Sequence, residues 1–115
     1  MKKIIHETLN ELGVSFNGVG REYLETAIEM ILNRGRMSVS YELYPRIAKI
    51  HKTTASRAER AIRNSIENAF LNTDIKVMAK YFGNAISYKN GKISNSNFIY
   101  GVVKHIQIYN QECLG

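Results

Sequence analysis

The segment His51–Phe70, "HKTTASRAERAIRNSIENAF", gathers three arginines, two glutamates and two threonines around a thread of apolar residues. Helical spacing, with 100° per residue, puts Ser56, Arg60, Arg63 and Glu67 along one side, with Arg57, Glu59 and Asn64 on its flanks. Ala55, Ala58, Ile62 and Ile66 fall on the other side, extended by Ala69 or Phe70. Side chains of these types recognise anions without making covalent bonds. An arginine fork bonds two acceptors on a guanine edge or clamps a phosphate, and free amides at a helix start favour phosphate as well. The same spacing also suits a plain solvated face. There Glu59 to Arg63 and Arg60 to Glu67 would be intrahelical ion pairs, each worth about 0.2–0.5 kcal/mol.

Other chemistry finds little support. His6, His51 and His105 are far apart and none has a partner histidine four residues away, so no metal site is expected. His51, beside Lys52, reads as a phosphate neighbour or as simple surface. "GVSFNGVG" holds glycines but lacks the lysine-serine ending of a phosphate-binding loop. Tyr41, Tyr44, Tyr81 and Tyr88 could stack on bases, yet their spacing suits buried or half-buried core positions better. No serine or cysteine comes with a histidine and an acid, so neither enzyme activity nor a cofactor is expected.

The elements that must hold the arginine face follow from apolar periodicity. Ile5, Thr8, Leu9 and Leu12 mark a first helix over Ile4–Leu12, closed by Gly13. Leu24, Ala27, Ile28, Ile31 and Leu32 form the stripe of a second, with Glu22, Glu25 and Glu29 outside it. "RGRMS" ends that helix, and a third runs through "YELYPRIAKIHK". Pro45, the lone proline, belongs in a first helical turn, which starts the regular part near Leu43 and ends it near His51. Thr53 and Thr54 are the expected N-cap of the arginine-bearing helix, Ala55–Leu71. A helix-turn-helix over about 43–71 results, its second helix presenting arginines from its N-terminal half.

Thr73 or Asn72 is the expected cap of a fifth helix in which Ile75, Met78, Ala79 and Phe82 share a face up to Gly83. Asn90-Gly91 within "AISYKNGKIS" signals a hairpin, but the flanks are short and a loop is the better reading. Lys89 and Lys92 flank that turn and could touch a sugar-phosphate backbone as a wing would, or simply be solvated. Ile99, Val102, Val103 and Ile106 mark a last helix from about Ser96 to Tyr109. Ile108, Tyr109 and Leu114 extend its apolar surface toward a neighbouring protomer. The whole reads as an all-α, compact bundle of about six helices.

Composition bounds the partners. The chain has 115 residues, enough for one domain, and 44 % of them are hydrophobic, enough for a core. Sixteen Lys and Arg against ten Asp and Glu leave a net charge of +6, which favours a polyanion, most simply nucleic acid. Cys113 is the sole cysteine, so no internal disulfide or thiolate cluster forms, and a reducing compartment fits. "MKKIIHETLN" lacks the apolar core of a signal peptide, and no apolar run of about 18 residues could span a bilayer. A cytoplasmic, nucleoid-associated protein with no membrane partner is expected.

"LYPRIAKIHKTTASRAERAIRNSIENAF" resembles the C-terminal effector domain of the stage-zero sporulation response regulator family, transcription factors of endospore-forming bacteria. The resemblance extends from "IIHETLNELGV" to "NSNFIYGVVKHI" and so covers nearly the whole chain. It implies an all-helical domain that binds double-stranded DNA boxes similar to TGTCGAA, commonly as tandem copies, and activates or represses promoters. A homodimer on tandem boxes and the RNA polymerase sigma subunit are the partners it adds. Its recognition helix falls on Ala55–Phe70, and its Ser-Arg-x-Glu-Arg-x-x-Arg motif on Ser56, Arg57, Glu59, Arg60 and Arg63. By that resemblance Arg57 reads guanine and Glu59 a cytosine amino group, while Arg60 and Arg63 hold phosphates. Lys52, Thr54, Asn64, Lys89 and Lys92 complete the expected interface.

Two departures stand out. Family members often have histidine where this chain has Asn64, and asparagine still donates a hydrogen bond there. Family proteins also carry a receiver domain with a phospho-accepting aspartate, for which 115 residues leave no room. An excised effector domain and a free-standing relative both fit; the opening "MKKII" looks like a natural start and favours the second, which would be governed by abundance, partners or self-association and not by direct phosphorylation. The reading from another class is an interaction module, whose basic helix docks on an acidic protein or another regulator without reading DNA.

Overall fold

The computed structural model describes residues 2–87 and 90–114, with side chains through residue 110. Among these residues the chain forms six α-helices and no strand: α1 (Lys2–Glu11), α2 (Val19–Arg34), α3 (Tyr44–His51), α4 (Ala55–Asn72), α5 (Ile75–Phe82) and α6 (Asn95–Leu114). A single π-helical turn, Val39–Leu43, leads into α3, and a 3₁₀ turn, Gly83–Ala85, follows α5. The radius of gyration is 13.5 Å, the value expected of a compact domain of this length.

One core joins all six helices. Leu9 and Leu12, Leu24 and Ile28, Leu43 and Ile47, Ile62 and Ile66, Met78, and Phe98, Ile99 and Ile106 are all buried in it. Helix α4 crosses this core and packs on α2, α3 and α6. Its crossing with α2 is close because Gly20 stands where any side chain would collide with the Ala61 carbonyl and the Ser65 hydroxyl. Arg21, the next residue, is 2 % exposed and fastens α1 and its following loop to α2. It donates to Glu25 Oε1 at 3.0 Å, to the Val14 carbonyl at 2.8 Å, and to Asn10 Oδ1 at 3.0 Å. Burying that cation is tolerable because its donors are met, partly by a carboxylate.

Several local expectations need revision. The cap of α5 is Asp74, whose carboxylate accepts from the Lys76 amide at 2.9 Å. Thr73 instead donates to the Leu12 carbonyl at 3.1 Å, tying the α4–α5 link to α1. In α5 only Met78 and Phe82 are buried, while Ile75 and Ala79 face outward, because an eight-residue helix offers the core little more than one turn of contact. Tyr44 and Tyr81 are buried and half-buried as core tyrosines, but Tyr41 is 88 % exposed. Helix α6 starts at Asn95 and not Ser96, and Ser94 caps it by accepting from the Asn97 amide at 3.1 Å. Of the 86–94 stretch, the described residues 86, 87 and 90–94 form no strand; the Ser87 amide donates to the Lys92 carbonyl at 2.8 Å, and Gly91 has φ 66°. Tyr88 and Lys89 lie outside the described residues.

Candidate nucleic-acid interface

Three residues, Lys52–Thr54, connect α3 to α4. The turn is tight because Lys52 adopts a left-handed conformation, φ 56°, and caps α3 by donating its amide to the Ala48 carbonyl. Thr53 follows with its own amide on the same carbonyl at 2.9 Å. Thr54 is then the N-cap: extended backbone, with Oγ1 accepting from the Arg57 amide at 3.1 Å. That bond satisfies one of the amides left open at the start of α4.

Two side-chain clasps hold this unit against the rest of the fold. At the end of α3, His51 Nε2 lies 2.8 Å from Thr26 Oγ1 on α2, and its ring packs against Tyr23 at 4.9 Å between centroids. His51 is therefore a brace between α2 and α3. At the start of α3, the Tyr44 hydroxyl accepts from Asn95 Nδ2 at 2.9 Å, and the same amide reaches the Glu59 carbonyl at 3.1 Å. Burial pushes the Tyr44 phenol above its ordinary pKa; the Asn95 bond opposes that shift, Glu59 adds to it and Arg63 lowers it.

The polar side of α4 faces away from the core. Ala58, Ile62, Ile66 and Ala69 are buried, whereas Ser56, Arg57, Arg60, Arg63 and Asn64 are exposed and Glu59 is half-buried. Arg57 and Arg60 meet no carboxylate among the described residues. Arg63 is different, because its guanidinium lies 2.8 Å from Glu59 Oε1. One of the two intrahelical pairs considered from spacing thus forms, and it engages a residue expected to read a base and one expected to hold a phosphate.

The structure groups the ten expected residues unevenly. Lys52, Thr54, Ser56, Arg57, Arg60 and Asn64 lie on the turn and the exposed side of α4. Lys92 joins Glu59 and Arg63 on another flank, a cleft of about 1180 Å³ between α4, residues 36–44 and residues 90–96. Lys89 is outside the described residues. Arg46 and Lys49 on α3, both exposed, were not among the expected residues. With Lys52 they recur every three residues, a helical-face signal that was readable in the chain. Asn95 was also missed, since nothing in a lone asparagine before an apolar run points to α3 or α4.

The family model described as "Sporulation initiation factor Spo0A C terminal" matches residues 5–106. The chain belongs to that family. It is a family of DNA-binding regulatory domains and not of enzymes. The match runs from within α1 through the buried part of α6. No helix of the described residues is long and apolar enough to cross a membrane. Among the same residues no group of three or more His, Cys, Asp or Glu is arranged to hold a metal ion.

Proposed function

We propose that this chain is a sequence-specific regulator of transcription that inserts the N-terminal half of α4 into the major groove of double-stranded DNA. The observation that carries this reading is the state of Arg57 and Arg60. Both guanidinium groups are exposed, on the first two turns of a capped helix, with no acid among the described residues engaging them. Side chains so placed have their donors available for guanine acceptors and phosphate oxygens. In this reading Arg57 and Glu59 face base edges, while Ser56, Arg60, Arg63, Asn64 and Lys52 hold the backbone, joined by Arg46 and Lys49 of α3. Lys92 adds a phosphate contact from the loop before α6.

Glu59 and Arg63 must part for both to act, and an exposed pair of this kind costs only about 0.3–0.5 kcal/mol to separate. The unit works as one domain, pairs on tandem boxes through the half-exposed Ile108 and Tyr109 side of α6, and takes the sigma subunit of RNA polymerase as a protein partner.

Titration of the purified chain onto duplexes with and without a TGTCGAA-type box, over a range of salt, tests the reading. Tighter binding to the box, with affinity falling steeply as salt rises through counterion release, is the expected result. Equal binding to both duplexes, or none, rejects base reading and favours docking of the basic helix on an acidic protein.

A further inference from the structure

Asn95 stands outside the helix-turn-helix, yet one amide group of this residue touches both of its helices. Its Nδ2 reaches Tyr44 Oη at 2.9 Å, at the first residue of α3, and the Glu59 carbonyl at 3.1 Å, in the second turn of α4. Asn95 is itself the first residue of α6, whose Phe98, Ile99 and Val102 are buried in the core. Helix α6 is thus a base from which a single side chain grips two helices at once. The Glu59 carbonyl has the amide of Arg63 as its ordinary partner along the helix, so the bond from Asn95 is an additional one. Losing it would leave no break in α4. What it supplies is placement.

Placement matters differently for the two kinds of contact that α4 makes. Long arginine and lysine side chains reach phosphates over a range of helix positions, whereas bidentate base contacts need the fork and the base edge aligned. A small rotation or slide of α4 therefore erodes base reading before it erodes backbone binding. The residue gripped by Asn95 is Glu59, which is also tied to Arg63, and the adjoining positions carry the rest of the expected readers.

We propose that Asn95 is a positioning residue for base recognition, setting the depth and rotation of α4 relative to α3 from its anchorage at the start of α6. This rests on the DNA-reading function proposed above. It assigns part of the specificity to a residue that lies off the recognition helix.

Two substitutions in the full chain separate the two halves of the grip. Asn95→Asp keeps the shape and suits a helix start. The introduced carboxylate can accept from the Tyr44 hydroxyl, reversing the direction of that bond, but offers no donor to the Glu59 carbonyl. Tyr44→Phe removes only the α3 side. Ile106→Val, a buried change in α6 remote from the grip, reports what ordinary loss of stability does. Dissociation constants are measured on a boxed and a permuted duplex. The expected result for Asn95→Asp is a roughly tenfold fall in the box-to-permuted ratio, within the range one misaligned base contact produces, on top of whatever loss the added charge causes equally on both duplexes. Tyr44→Phe should lower the ratio less, and Ile106→Val not at all. An unchanged ratio in Asn95→Asp, when the parent protein selects the box, overturns the proposal; so does an equal loss on both duplexes. A parent protein that does not select the box overturns the DNA reading itself and this proposal with it. Should Asn95→Asp fail to fold, Asn95→Ser carries the same comparison with the same criteria.

Discussion

Replacing Arg57 and Arg63 separately by alanine distinguishes reading from holding. Arg57 has an exposed guanidinium that no carboxylate among the described residues engages, so its donors are available for a base edge. A bidentate contact of this kind is worth about 1–3 kcal/mol, which is roughly 5- to 150-fold in the dissociation constant on the box. On a permuted duplex that contact is absent and the loss should be small. Arg63 begins paired with Glu59 at 2.8 Å, its side chain 47 % exposed and that of Glu59 35 %. Moving to a phosphate trades one partner for another, so Arg63→Ala should weaken boxed and permuted duplexes alike. It should also reduce the slope of log affinity against log salt by about 0.9, one phosphate's share. Fluorescence anisotropy on both duplexes at four or five salt concentrations measures all of these quantities. If Arg57→Ala weakens the two duplexes equally, or Arg63→Ala changes their ratio as much as Arg57→Ala does, the roles assigned from the geometry are wrong.

Other changes probe the frame that presents those side chains. Thr54→Ala removes the acceptor of the Arg57 amide and should lower stability by about 1 kcal/mol, read as a shift of the urea midpoint. An unshifted midpoint would mean that water serves that amide as well. Gly20→Ala would push a methyl group into the Ala61 carbonyl and the Ser65 hydroxyl, and should cost about 1–3 kcal/mol as α2 and α4 separate. A stability equal to the parent's would show that the crossing has slack. The phenols of Tyr44 and Tyr81 are raised from an ordinary value of 10.0, in both chiefly by burial and for Tyr81 also by the Glu11 carboxylate. In this range the folded state holds protons that the unfolded state has lost. Stability should therefore be intact below pH 10 and decline as pH rises above it, and Tyr81→Phe should flatten the decline in alkaline unfolding curves. A decline of the same steepness in that variant would place its origin elsewhere.

The fold was legible wherever apolar periodicity was long. The Leu24, Ala27, Ile28 and Ile31 stripe and the Ala58, Ile62 and Ile66 stripe lie in the core as spacing required, because a helix of sixteen residues or more can bury only one side. Thr54 as a cap and Pro45 in the first turn of α3 were legible for local steric reasons. In α5 the pattern misled, since eight residues with Ile75, Met78, Ala79 and Phe82 at helical spacing do not reveal how much neighbouring surface exists to cover them. The exposure of Tyr41 was hidden for a like reason: an aromatic residue on a short π-helical turn is placed by the turn and not by a repeat. The outward position of Arg57, Arg60 and Asn64 on α4 followed from spacing, but their support did not. His51 to Thr26 and Asn95 to Tyr44 and Glu59 join residues 25, 51 and 36 positions apart, and no local pattern encodes such pairs.

The arginines of this chain divide by what their donors already do. Arg21 is buried, its donors satisfied by Glu25, Val14 and Asn10, and Arg36 sits over the ring of Tyr100 at 4.7 Å. Those cations serve the fold. Arg46, Lys49 and Lys52 on α3 and its turn, with Arg57 and Arg60 on α4, form no ion pair among the described residues, although α2 nearby carries Glu22, Glu25 and Glu29. Like charges gathered on one surface repel and work against the folded state, so clustering them without counter-charges does not serve stability. A polyanion laid across the α3–α4 surface reverses the sign of that interaction. Of those α2 acids only Glu25 forms an ion pair among the described residues, with Arg21 and His6. Exposed cations left without counter-charges among the described residues thus favour a ligand that supplies many negative charges at once, as a duplex does.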